Sequence, residues 1–157
     1  MHCDGGSMTG MNVPSFVADR PARAVRAGAP GWIVWWLRIA ATAHLAGVLG
    51  QAALAGLFVT GDVDMLTLHR DNGGFTHALL YLQLVAAILL WRPGRGPRGP
   101  AWASAALVVL ETAQIGLGQS RVLAGHFPLG MTIFGGSAVL AVWTWRSLRP
   151  RAREAAA

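Results

Sequence analysis

The stretch that decides the fold is ALLYLQLVAAILLW, residues 78–91. It contains no charged side chain, and its one amide, Gln83, stands among leucine, isoleucine, valine and alanine. With the residues before it, from Asn72, the run is about 20 residues long, or roughly 30 Å as a helix, which matches the hydrocarbon thickness of a bilayer. The stretch therefore predicts a membrane-spanning helix.

Three further runs have the same apolar character and bring the predicted spans to 39–61, 72–91, 101–120 and 127–145. Hydrophobic residues make up 54% of the 157-residue chain and charged residues only 13%, which is too apolar for an ordinary soluble domain. A soluble helical bundle would carry polar residues at every second or third position, and these segments do not. We predict an all-α fold, an integral membrane four-helix bundle with its transmembrane domain at residues 31–147.

Arginine is distributed unevenly along the chain, and lysine is absent. All arginines except Arg70 and Arg121 lie before the first span, between the second and third, or after the fourth. These places face one side of a four-span protein, as do all seven tryptophans, and the positive-inside rule makes that side the cytoplasm. We expect a multi-pass protein of the cell membrane with both termini cytoplasmic, in contact with the lipid bilayer. The same clustering argues against nucleic acid as a partner, despite the net charge of +6.

The segments outside the spans predict little structure. Residues 1–30 are rich in Gly, Pro, Ala and Arg, which predicts a disordered leader, and residues 148–157 predict a solvated basic tail. The leader lacks the short apolar core and small-residue cleavage site of a signal peptide. The single cysteine, Cys3, lies in this leader, so neither a disulfide framework nor a cysteine metal site is predicted.

Ionisable residues inside a membrane span are costly, so they indicate functional sites. His69 and His126 lie at matching depth, at the outer ends of the second and fourth predicted spans. Two imidazoles that face each other across a helical bundle are a familiar way to hold heme iron. We predict that His69 and His126 are the metal ligands of one b-type heme (heme b) near the outer face.

Several neighbouring residues complete this predicted site, to which we assign no catalytic residue. Arg70 and Arg121, at the outer surface, are expected to pair with the heme propionates. His77 lies about 12 Å further in than His69 and is expected to be a neighbour of the heme or an alternative ligand. Gly73 would let a flat ring approach the backbone.

Two other interpretations stay open from the residues alone. In one, the protein is a cofactor-free structural or accessory membrane subunit, with solvated histidines and with Glu111 and Gln114 joining neighbouring helices. In the other, His44, Glu111 and His77 form a proton path in an enzyme or small transporter, at three depths in the membrane. His44 then lies about 9 Å below the cytoplasmic surface, measured from Arg38.

Four short motifs also resemble a known family. They are QAALAG at 51–56, LHR at 68–70, QIGLG at 114–118 and GH at 125–126, in the first, second, third and fourth helices. In this order, over residues 33–147, they resemble one four-helix half of the heme A synthase type of membrane protein. They also resemble small bacterial proteins that consist of a single such half.

This resemblance implies that the family's paired heme ligands correspond to His69 and His126. The substrate half of a heme A synthase has a glutamate four residues before its second-helix histidine, where this chain has Met65. The chain also has one four-helix unit and no outer-loop cysteine pair. The resemblance thus implies the cofactor-binding half without the catalytic half. We expect electron transfer or heme handling rather than enzymatic activity of the chain alone, with a homodimer or a redox membrane partner.

Overall fold

The computed structural model describes residues 29–151, which form four α-helices. Their bounds are Gly31–Val59 (α1), Met65–Trp91 (α2), Gly99–Gln119 (α3) and Leu123–Ser147 (α4). All four are long and apolar enough to cross a membrane, which confirms the predicted all-α, four-span class. The predicted leader and Cys3 lie outside the described residues, apart from the leader's last two positions, and so does the tail after residue 151.

Each helix is longer than the apolar span that predicted it. The first predicted span began after Arg38, yet α1 begins at Gly31 and contains Arg38 in its second turn. The second began at Asn72, yet α2 begins at Met65 and contains both His69 and Arg70. The predicted bounds were wrong because a charged side chain ends an apolar run without ending the hydrogen-bond pattern of the helix.

The helices form a square in which chain neighbours are also neighbours in space. α1 packs against α2 and α4, and α3 packs against α2 and α4, while the diagonal pairs make no backbone contact among the described residues. We call the end formed by Gly31, Trp91, Gly99 and Ser147 the arginine-rich end. The opposite end, formed by Val59, Met65, Gln119 and Leu123, is the histidine end.

Two loops of the same design close the histidine end. After α1 and after α3, one residue adopts a positive φ, 114° at Gly61 and 58° at Arg121. The next residue in each loop donates its N–H to the carbonyl five positions back, at 3.1 Å and 2.9 Å. This is the Schellman arrangement that commonly ends a helix, and it usually places glycine at the position that Arg121 occupies.

The buried apolar core fills the arginine-rich end and the middle of the bundle. One cluster at that end contains Val34, Leu37 and Leu90, and a second at mid-length contains Leu80 and Leu107. Large apolar side chains elsewhere face outward, as expected of helices in lipid. Neither cluster reaches the histidine end, which leaves that half of the bundle open inside.

Small residues bring α1 and α2 close together. A Cβ at Gly47 would collide with the side chain of Thr76, and one at Gly50 would touch Asn72. The amide nitrogen of Asn72 donates to the carbonyl of Gly47 at 3.0 Å. Small residues at the contact with a polar bond across it are typical of helix pairs in membranes.

Arg38 ties the end of α4 to α1. It is 8% exposed, and its guanidinium donates to the carbonyls of Thr144, Trp145 and Leu148 at 3.3, 3.3 and 2.7 Å. It also lies against the rings of Trp35 and Trp145, at 5.2 and 4.9 Å from their centroids. The last carbonyls of a helix lack partners within the helix, so a cation there satisfies them and complements the helix dipole.

We predict that Arg38→Met lowers the free energy of unfolding by about 1.5–3 kcal/mol, since charge-assisted hydrogen bonds to carbonyls in a dry surrounding are lost. The measurement is Tm by circular dichroism in detergent micelles. Arg92→Met is the matched control, because Arg92 is exposed and only stacks on Trp91. Equal Tm values for the two variants would contradict the stabilising role of the Arg38 hydrogen bonds.

Candidate functional site

The open half of the bundle contains a cavity of about 600 Å³, which we call the main cavity. All four helices contribute to its wall, and its surface is almost entirely apolar. Its volume is within the usual range for ligand-binding pockets, about 300–1,000 Å³. The lining residues with polar side chains are Gln51, Thr60, His69, Thr76, Glu111, Gln114 and His126.

His69 on α2 and His126 on α4 meet across this cavity, although the two helices themselves are diagonal in the bundle. Their ring centroids are 6.3 Å apart and their planes are inclined by 61°. A metal ion held between two imidazoles on opposite sides separates their centroids by roughly 6.5 Å, because metal–nitrogen bonds are about 2.0–2.1 Å long. The spacing of the two rings therefore fits a pair of axial ligands.

Both rings are held in one orientation by backbone carbonyls of the preceding helix. Nδ1 of His69 donates to the carbonyl of Gln51 at 3.2 Å, and Nδ1 of His126 donates to the carbonyl of Gln114 at 3.0 Å. A carbonyl oxygen has two lone pairs, so it can accept from the ring in addition to its helical partner. With the proton on Nδ1, each Nε2 carries the lone pair that a metal requires.

The two histidines belong to an internal repeat that the sequence reasoning missed. In each half, a glutamine carbonyl holds a histidine, and a glycine lies four residues after that histidine. A Cβ at Gly73 would lie 2.9 Å from Nε2 of Gln51, and a Cβ at Gly130 would lie 2.9 Å from Nε2 of Gln114. The glycines thus make room for the glutamine amides. The shared spacing in HRDNG at 69–73 and HFPLG at 126–130 was the signal that could have revealed it.

A second cavity, of about 330 Å³, adjoins the same pair of rings. It shares His69, His126 and Gly73 with the main cavity, so both cavities lie against the imidazole pair. Arg70 and Gly74 also line it, and Arg70 is exposed at its edge. Arg70 is therefore the cation that the structure brings to the cavity.

The other predicted site residues lie elsewhere. Arg121 is exposed in the α3–α4 loop and lines neither cavity, and His77 also lines neither within the described residues. Their predicted roles beside a cofactor stay predictions. Glu111, assigned no part in the heme site, lies in the wall of the main cavity one turn from Gln114.

Glu111 joins His44 and His77 into one buried cluster. Its Oε1 accepts from Nε2 of His44 at 2.5 Å, and its Oε2 accepts from Nδ1 of His77 at 3.0 Å. The three side chains were predicted at separate depths, and this was wrong, because both histidines bond to the same carboxylate. The depth of His44 was measured from Arg38, whereas α1 begins at Gly31, which puts His44 roughly 20 Å along the helix.

Comparisons with protein-family models, with curated proteins and with solved structures return no match. The resemblance to a heme A synthase half therefore rests on the sequence motifs alone and stays a prediction.

We predict that Glu111→Leu destabilises the bundle, because both imidazoles lose their acceptor and an unpaired buried polar group costs about 1–3 kcal/mol. Glu111→Gln keeps one acceptor oxygen and should lose less. Thr112→Val is the control, since Thr112 is exposed and bonds only within its own helix. Thermal unfolding in detergent checks the order, and a Glu111→Leu variant as stable as the control would contradict the pairing.

Proposed function

We propose that this protein is a membrane electron-transfer protein that binds one b-type heme between His69 and His126. One observation carries the proposal: two imidazoles at axial-ligand spacing across an apolar cavity, each with Nδ1 bound to a carbonyl and with no partner for Nε2 among residues 29–151. Histidine ligands are commonly oriented in this way by the hydrogen bond of the other ring nitrogen.

The donor set fits a macrocycle better than a bare metal ion. Among residues 29–151 no three His, Cys, Asp or Glu side chains are grouped to hold a metal, so the two imidazoles have no third protein ligand beside them. A porphyrin brings its own equatorial nitrogens and needs only axial ligands from the protein. Its apolar faces also match the apolar wall. Gln114 lines the main cavity, and its Oε1 is buried without a hydrogen-bond partner among residues 29–151.

The chain's own residues then have distinct tasks. His69 and His126 would hold the iron of a heme, while the carbonyls of Gln51 and Gln114 keep both rings in the required tautomer. The apolar wall excludes water, and Arg70 pairs with a propionate at the edge of the second cavity. A heme held by these two residues would supply one-electron redox chemistry.

The charge distribution supports an orientation for this site. The arginine-rich end faces the cytoplasm under the positive-inside rule, with both termini on that side. The histidine end, and the heme with it, then lies near the outer face of the cell membrane. The protein exchanges electrons with a redox partner, which is either another protein of that membrane or a second copy of the chain.

We predict that His69→Ala and His126→Ala each abolish the sharp α-band of the dithionite-reduced protein, because either change removes one axial ligand. The measurement is a reduced-minus-oxidised visible spectrum of detergent-purified protein, expressed with heme precursor supplied. His44→Gln is the matched control, since His44 lines neither cavity and glutamine keeps a donor toward Glu111.

Three results would contradict the proposal. They are a wild-type spectrum without a Soret band, an α-band that survives both histidine variants, and an equal loss in His44→Gln. Circular dichroism of each variant shows whether a lost band reflects the ligand or the fold.

A further prediction separates the two arginines at the histidine end. Arg70→Gln should weaken heme retention, measured as the rate of heme transfer to excess apomyoglobin, because an exposed charge-assisted pair is lost. Arg121→Gln measures the second predicted contact, and the position of Arg121 outside both cavities leads us to expect a smaller effect. A larger effect at Arg121 would reverse the assignment.

A further inference from the structure

The His44–Glu111–His77 cluster is built from α1, α3 and α2 and adjoins the main cavity through Glu111. No task in heme ligation uses it. The inference drawn from it here rests on the proposed heme site, since it concerns how that site responds to charge. Its components are hydrogen-bond pairing, exposure and the number of protons that the cluster holds.

His44 is the fixed member of the cluster. It is fully buried, its Nε2 is bonded to Glu111, and its Nδ1 has no partner among the described residues. A proton on Nδ1 would be an unpaired donor in a dry surrounding, which is costly. Nε2 of His44 is therefore the nitrogen that donates to the carboxylate of Glu111.

His77 is the adjustable member. Its side chain is 17% exposed, against 0% for His44 and 9% for Glu111, so it is the least enclosed of the three. Its Nδ1 donates to Glu111, and its ring lies edge-on to Tyr81 at 4.9 Å between centroids. The other ring nitrogen of His77, Nε2, is the position at which this ring can bind a further proton.

Few other charges face this cluster. α1 adds Arg38, bound to the carbonyls at the end of α4, and α2 adds the phenol of Tyr81 beside His77. α2 also carries His69, Arg70 and Asp71, nearer the histidine end. The ionisable side chains of α4 are His126, nearer the histidine end, and Arg146, at the arginine-rich end. α3 carries only Glu111. The charge of the cluster is thus set mainly by its own three members.

We propose that this cluster is a proton-binding site coupled to the heme cavity, at which His77 takes up one proton when one electron enters the cavity. The electron comes from a one-electron donor in the membrane and reduces ferric to ferrous iron. The proton comes from water and becomes the second N–H of His77. The positive charge of the proton compensates the negative charge of the added electron beside the cavity. An uncompensated charge is costly there, because the surroundings have low polarity.

The test is the midpoint potential of the heme-loaded protein, titrated with redox mediators from about pH 5 to about pH 8, where histidine changes charge. The wild-type potential should fall with rising pH, by up to about 59 mV for each tenfold decrease in proton concentration. His77→Asn keeps a donor toward Glu111 but cannot titrate, so its slope should be flat. Glu111→Gln, which removes the carboxylate charge, should flatten it as well.

Ser104→Ala is the matched control, because Ser104 is a buried α3 residue that bonds to Gln83 and lines neither cavity. It should keep the wild-type slope. If the wild-type midpoint potential does not change with pH while the α-band is intact, the coupling is overturned and the proposed heme site is not. A slope that survives both cluster variants also overturns the coupling, since the protons then bind at the propionates. Absence of any heme spectrum overturns both proposals.

Discussion

In hydrocarbon a polar group without a partner is costly, and the rest of this structure depends on pairing such groups inside the bundle. Arg38 donates hydrogen bonds to the last carbonyls of α4, and Gln83 donates one to the hydroxyl of Ser104 at 3.0 Å. His69 donates from Nδ1 to the carbonyl of Gln51 in α1, and this bond leaves Nε2 of the same ring available to a ligand. The same requirement that stabilises the fold therefore also prepares the ligands of the proposed heme.

The arginine-rich half of the bundle stabilises the fold, and the histidine half contains the proposed binding site. The arginine-rich half is closed by apolar clusters around Leu37 and Leu90 and by Arg38 across the α1–α4 contact. The histidine half is left open, and what holds its helices together is a set of side-chain and carbonyl bonds around the cavity. A cavity in the packed half would cost core contacts, whereas here it lies where the core has already ended.

Hydropathy was enough to predict the class, since four apolar runs of spanning length leave little choice. Helix rise was enough to put His69 and His126 at equal depth, and the structure brings their rings together. Rotation about each helix axis was not predictable, because packing between helices sets it. That is why His77, although only eight residues from His69, turns to Glu111 instead of the cavity. The extent of α1 beyond Arg38 was missed because hydropathy reports the span and not the helix.

The central claim is that two histidines, and no other protein group, ligate one heme iron. Low-temperature electron paramagnetic resonance of the oxidised, detergent-purified protein tests it most directly, since the signal reports the axial ligands of ferric iron. Our account predicts a low-spin ferric signal with the values of bis-imidazole ligation, at one heme per chain. A high-spin ferric signal, or protein that carries no heme after expression with precursor supplied, would contradict it.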